Sequence, residues 1–322
     1  MIRLQVFLGM AVLAVALLSA GPPASAQAAR TWVSGVGDDA NPCSRTAPCQ
    51  TFAGAFAKTS AGGEIDCLDP AAFGPLDITH AISIICDGVG AAGSAVASGS
   101  ALGVSAGASD TVILSGLDIS VVGVGSDGIN FTSGQALYIR NCVIRVQTGE
   151  GVLVAPVLTT PTAVDIDNTT IEETAASSEG LQAGIYIAPQ SSGSVSVTIN
   201  RTKVAGAFFG IVADGTEGAS KISGVVRDSV VSHSAQNGVT VSTGSASSIS
   251  LVLDNVAVTN NGNNGLAANG ANAGMIVSNS TINGNGGGLH EANAGVIDSY
   301  GNNRVNGNSG NDGSFSTTIA QK

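Results

Sequence analysis

The sequence predicts an all-β solenoid, a stack of coils each built from three short strands, and three observations carry that prediction. From about residue 111 onward an apolar residue, four others and a second apolar residue recur. The pairs are Leu114/Ile119, Ile139/Ile144, Ile166/Ile171, Ile199/Val204, Val226/Val231, Leu253/Val258, Val277/Ile282 and Tyr300/Val305, with second members 25, 27, 33, 27, 27, 24 and 23 residues apart. A fixed inner spacing within a variable outer period is what a solenoid gives when one loop per coil changes length. Three residues before each second member stand Gly116, Asn141, Asn168, Arg201, Asp228, Asn255, Asn279 and Asn302. Gly, Asn and Asp tolerate the left-handed backbone region, so this position reads as a one-residue bend between two strands, with Arg201 the misfit. Finally, Gly128, Gly151, Gly184, Gly210, Gly238, Gly265 and Gly288 each open a third segment, mostly of alternating character, such as Gly184-Ile185-Tyr186-Ile187.

The elements follow in chain order. Met1-Ile2-Arg3, an apolar run from Val6 to Ala20 and the Ala24-Ser25-Ala26 box make residues 1–26 a secretory signal peptide. Its removal takes Arg3 and no acid, so the 12 Lys+Arg become 11 against 23 Asp+Glu and the net charge moves from -11 to -12. No later stretch is apolar for long enough to span a bilayer, so the expected location is secreted or periplasmic with no membrane span. Residues 27–60 read as a disulfide-containing N-terminal cap segment, 61–314 as the stack of coils and 315–322 as a C-terminal tail.

Cys43 and Cys49 bracket a short Pro-containing loop, and Cys67 and Cys86 lie on two apolar segments. An oxidising compartment permits two disulfides, and spacing alone leaves their connectivity open. Closing the shortest loops pairs Cys43 with Cys49 and Cys67 with Cys86. Cys142 is left over and reads as an inert, inward-stacked thiol.

Composition narrows function. Charged residues are 11% of the 322, against about 25% in ordinary domains, and the balance is acidic. There is no excess of cations to neutralise phosphates, which excludes a nucleic-acid partner. A content of 43% hydrophobic residues excludes a long disordered chain.

Three strands, an Asn-rich bend and coils of about 23 to 27 residues resemble the right-handed parallel β-helix, the pectin-lyase-like architecture. Gln50 to Ala57 looks like the short capping helix of that family, with one helix expected near Thr51 to Lys58. Gly62 to Pro70, Phe73 to Ile78 and Ala81 to Gly88 are similar to its first coil. The resemblance covers about residues 30 to 310 and implies a single-stranded β-helix of about ten coils with an N-terminal capping helix. It implies no one activity, because the fold hosts lyases, hydrolases, esterases, adhesins and tailspikes.

The search for chemistry returns no catalytic set. Stacking by the repeat aligns Arg140 with Asp167, Arg227 with Asp254 and Arg145 with Glu172, which reads as ladder ion pairs one rung, about 4.8 Å, apart. The outward positions after the coil glycines are Asn130, Leu153, Tyr186, Val212, Thr240, Ala267 and His290, with no acid among them, whereas glycoside hydrolysis requires two carboxylates. His80, His233 and His290 fall on different coils. Residues 237–311 hold seventeen Asn, read as ladders and turn residues ahead of a sugar-binding surface. One constellation survives: Asp127 and Glu150 immediately precede Gly128 and Gly151 of adjacent coils. Screened surface carboxylates, a shared proton and a weak calcium site are the three readings of this pair, and calcium is the one metal expected. The function expected is an exported, noncatalytic β-helix that binds polysaccharide or cell-envelope glycan, or scaffolds the envelope. The alternative is a polysaccharide lyase or glycoside hydrolase with degenerate motifs.

Overall fold

The computed structural model describes residues 27–89, 93–96, 99–122, 127–147, 149–157, 160–173 and 182–320. The signal-peptide reading of 1–26 lies outside the described residues. The rest is a parallel β-helix of three sheets, with eleven strands in the first and nine in each of the others. Each coil visits the sheets in turn, as Ala136–Arg140, Val143–Val146 and Val152–Val154 do.

Period-2 alternation sends one face of every strand into the stack. Leu114, Ile139, Ile166, Ile199, Val226, Leu253 and Val277 align as one inward ladder, all fully buried. Ile119 to Val305 form the matching ladder of the second sheet. Each fully buried aliphatic side chain contributes about 1.5–3 kcal/mol, and this continuous apolar column holds the coils together.

The bend position behaves as its residue types require. Asn141, Asn168, Asp228, Asn255 and Asn279 have φ between 48° and 55°, Gly116 has 70°, and the misfit Arg201 adopts 46° all the same. The final coil departs from the reading: Val277 stacks on Ser299 rather than Tyr300, and Gly301, not Asn302, takes the left-handed bend at φ 83°. One extra residue at that corner shifts the first strand while leaving Val305 on Ile282. The glycines that open the third strand answer a different demand. A Cβ on Gly151 would lie 2.4 Å from Ile171 Cγ2 and 2.5 Å from the Gly184 carbonyl oxygen, so close approach, not a positive φ, excludes a side chain.

Both ends of the stack are closed. A helix at Phe52–Phe56, shorter than the span read from sequence, is capped by Thr51 Oγ1 accepting from the Gly54 N–H at 2.9 Å and turns Phe52 and Ala55 inward. The segment read as a cap also supplies a strand, Ala28–Val33, that pairs with Thr59–Cys67 at the edge of the first sheet. At the other end the tail folds back: Ser316 and Ile319 donate to the carbonyls of Ile297 and Ser299, covering a strand edge that would otherwise template association. Disulfides join Cys43 to Cys49 and Cys67 to Cys86. These bridges fit an extracytoplasmic protein. Cys142 is buried and free, and burial first of all pushes its thiol up to about 12, which leaves it unreactive.

The aligned charges keep their register but choose other partners. Arg145 stacks beside Glu172 yet turns the opposite way, to Asp118 at 2.5 Å, and Glu172 is taken by Lys203 at 3.1 Å. Asp167 beside Arg140 is held by Arg201 at 2.5 Å, while the Arg140 guanidinium lies 4.8 Å from the Tyr138 ring centroid. Arg227 stands opposite Asp254 in the ladder and donates to Asn200 Oδ1 at 3.1 Å. A long cationic side chain sees a rung above and a rung below, and hydrogen-bond geometry decides between them.

Candidate functional site on the outer face of the third sheet

The outward row of the third sheet runs in the predicted register from Asn130 through Leu153, Tyr186, Val212, Thr240 and Ala267 to His290. It also extends two strands upstream, through Gly103 to Asp77, so an acid does stand on this row. Gly103 leaves room for it, because a Cβ there would meet Asp77 Oδ1 at 2.6 Å. A second outward row, two residues further along each strand, carries Asp214, Ser242 and Asn269. The same alternation that sets the first row, carried one step further along the strand, gives Asp214.

The face has two unlike halves. In the earlier coils it is acidic. Asp127 is buried, and its carboxylate accepts from Asn130 Nδ2 at 3.0 Å, Ser100 Oγ at 3.4 Å and the Glu150 N–H at 3.2 Å. Glu150 is pushed up to about 8 by its own burial first, then by a hydrogen bond to Asp127 and the charge of that carboxylate. Asp127 is thus buried and hydrogen-bonded, while Glu150 is half-buried beside it. Burial and the neighbouring Asp127 thus favour the protonated form of Glu150.

Two further groups belong to the same field. Glu173, which sequence reasoning did not single out, is 8% exposed and pushed up to about 8 by burial, with Oε1 lacking a partner. Tyr186 donates to Asp214 Oδ2 at 2.8 Å, and burial, that hydrogen bond and the nearby acids raise its hydroxyl above the ordinary range. Among the described residues, no group of three or more His, Cys, Asp and Glu is arranged to hold a metal ion.

In the later coils the face is neutral. Asn237, Thr240, Asn264, Ala267, Asn269 and His290 line an open groove of about 410 Å³. The amides stack: Asn237 Oδ1 accepts from the backbone N–H and Nδ2 of Asn264 at 3.0 and 3.2 Å, and Asn293 Nδ2 donates to Asn269 Oδ1 at 2.7 Å. Beneath them a second, internal amide ladder turns the corner into the third sheet. Asn261 Nδ2 donates to Asn285 at 2.8 Å, Asn285 Nδ2 to Asn308 at 2.9 Å, and Asn308 Nδ2 to Asp312 at 2.7 Å. The Asn-rich stretch thus splits into structural ladders, as expected, and a smaller set that faces solvent. Of the remaining histidines, His233 sits exposed in a left-handed turn at φ 58°, and His80 stacks on Phe56 with ring centroids 4.1 Å apart.

Comparison with solved structures agrees with this architecture. The chain has the pectin-lyase-like β-helix fold: it is similar to pectate lyase Pel9A at 13% identity, over 87% of this chain and 79% of that one, with a TM-score of 0.63. A rhamnogalacturonan lyase matches at 10% identity over 84% and 75% of the two chains, with a TM-score of 0.32. No protein-family model and no curated protein matches the sequence.

Proposed function

We propose that this is an exported, extracytoplasmic β-helix protein that binds glycan on the outer face of its third sheet. The observation that supports the reading best is the neutral groove of the later coils, where amide, hydroxyl and imidazole groups recur on neighbouring strands about 4.8 Å apart. Sugar hydroxyls need such mixed donors and acceptors at short, regular intervals. The signal-peptide pattern of residues 1–26 and the two disulfides support export. Glycan arrays and affinity gels test it: wild type is retained, and Asn264→Ala with His290→Ala lowers retention at least tenfold without altering the melt. Equal retention of the double variant removes the groove from the proposal.

A second reading, glycoside hydrolysis, is favoured by Glu150. A carboxylic acid that keeps its proton near neutral pH, in the same field as Tyr186 and the Asp214 carboxylate, has the character of a general acid. Incubation with pectic, alginate and glucan polymers, following reducing ends and the absorbance of unsaturated products, separates the readings. Turnover that disappears in Glu150→Gln would establish the enzyme. Retention without turnover supports the binder.

A further inference from the structure

We infer that a second carbohydrate site, for a neutral pyranose unit, lies at the N-terminal end of the first sheet around Trp32 and Arg45. It does not rest on the groove of the third sheet. Trp32, the one tryptophan of the chain, is on the edge strand Ala28–Val33, where alternation turns it outward beside Arg30. Its backbone is held from both sides of the first disulfide: the Trp32 N–H donates to the Cys43 carbonyl at 2.9 Å, and its carbonyl accepts from the Cys49 N–H at 3.0 Å. The loop closed by that disulfide brings Arg45 to the same place. Trp32, Arg45, Asp66, Leu68, Ile85 and Asp87 all line one groove of about 290 Å³.

The chemistry of the lining selects the ligand. The Arg30 guanidinium sits over one face of the indole, 5.6 Å from its centroid, so a ligand can stack only on the other, and Arg30 is itself neutralised by Glu64 at 2.8 Å and Asp66 at 2.5 Å. Arg45 is exposed, and among the described residues it has no ion pair or hydrogen bond; nor does the indole N–H of Trp32. Asp87 accepts from Ser115 Oγ at 2.6 Å and Asn141 Nδ2 at 3.0 Å. The groove therefore offers an aromatic face, an aliphatic floor, unused donors from Arg45 and the indole, and carboxylate acceptors. Its two arginines stand against Glu64, Asp66 and Asp87, so the local balance does not favour an anion. A ring with apolar C–H faces and equatorial hydroxyls matches each feature, the aromatic face taking the C–H groups and the polar groups taking the hydroxyls.

The single tryptophan makes the test specific. The native, disulfide-intact protein is titrated with cellohexaose, xylohexaose, mannohexaose and, as the acidic probe, trigalacturonate, and Trp32 emission is followed. The expected result is a saturable shift with at least one neutral oligosaccharide, tighter than any response to trigalacturonate and weakened at least tenfold in Arg45→Ala. No shift with any neutral probe, equal or tighter binding of trigalacturonate, or an unchanged affinity in Arg45→Ala overturns the inference. Because Arg45 is an exposed loop residue, that variant retains the fold, which circular dichroism verifies. The Asn264→Ala, His290→Ala protein separates the two proposals. An intact tryptophan response in it means this site binds whatever the fate of the groove, whereas a response lost with the groove overturns a separate site.

Discussion

Two stretches of the same solenoid satisfy their rungs with different chemistry. Between about residues 111 and 235 the corners and outer faces use charge: Arg145 with Asp118, Arg201 with Asp167, Lys203 with Glu172, and the neighbouring carboxyls of Asp127 and Glu150. From 237 to 311 amides predominate, with Asn261, Asn285 and Asn308 bonded in series inside the stack. An amide carries both donor and acceptor, so one residue type repeated on successive coils satisfies itself at any pH. A carboxylate carries only acceptors and needs a cation, a donor or a proton from its neighbour. The amide stretch is thus fixed in its chemistry, and the charged stretch is where pH and salt act.

The largest expected effect breaks the amide ladder. Asn285 is fully buried, donates to Asn308 and the Val258 carbonyl, and accepts from Asn261. Asn285→Leu removes the buried acceptor of the Asn261 backbone and amide N–H groups and the donor to the Val258 carbonyl, at a cost on the order of 3 kcal/mol, read as a lowered midpoint in urea unfolding. One coil before Asn261 the same place holds Ser234, whose Oγ is buried without a partner. If Asn285→Leu costs no more than a surface change, the ladder is decoration and the contrast between the two stretches fails.

The second test uses pH. Glu150 and Glu173 stand at about 8 in the folded chain against 4.5 for the ordinary carboxyl. The folded state therefore holds more protons than the unfolded one between these values. Their stability contribution is full below about pH 4.5 and is lost as pH rises through about 8. With Glu150 partly open to solvent, the loss is on the order of 2 kcal/mol, visible as a melting temperature that falls between pH 5 and 8. Glu150→Gln with Glu173→Gln should flatten that slope. Calcium is the competing occupant: a rise in melting temperature in millimolar calcium at pH 8, abolished by Asp127→Asn, would place a metal at the pair.

Reduction sharpens the contrast from a third side. Cys43–Cys49 and Cys67–Cys86 close loops within the first coils, so reducing agent should loosen the region before residue 90 by about 2–3 kcal/mol and leave the amide stretch protected in hydrogen exchange. Trp32, clamped by Cys43 and Cys49, should change its emission at the same time. Native protein that titrates four free thiols would refute the bridges. The smallest effect is expected of Ser234→Ala. Removing a buried hydroxyl with no partner should change stability by no more than about 0.5 kcal/mol, in the stabilising direction.

The sequence by itself determined the coils, the bends and the register. The inward ladder from Leu114 to Val277 and the outward row from Asn130 to His290 are both written in alternation and in the five-residue spacing, which a parallel stack copies from one coil to the next. Even the failure at Tyr300 is local, a single extra residue at one corner. Tertiary structure alone decided how side chains are partnered and buried. Arg145 and Glu172 share a rung, yet each pairs elsewhere, because a long side chain rotates to whichever neighbouring coil offers the better geometry. Glu150 and Glu173 hold their protons because the corner between two sheets buries them, and burial at a corner depends on loops of irregular length. The meeting of Trp32 with Arg45 is decided in the same way: thirteen positions separate them in the chain, and a disulfide loop with no repeat places one beside the other.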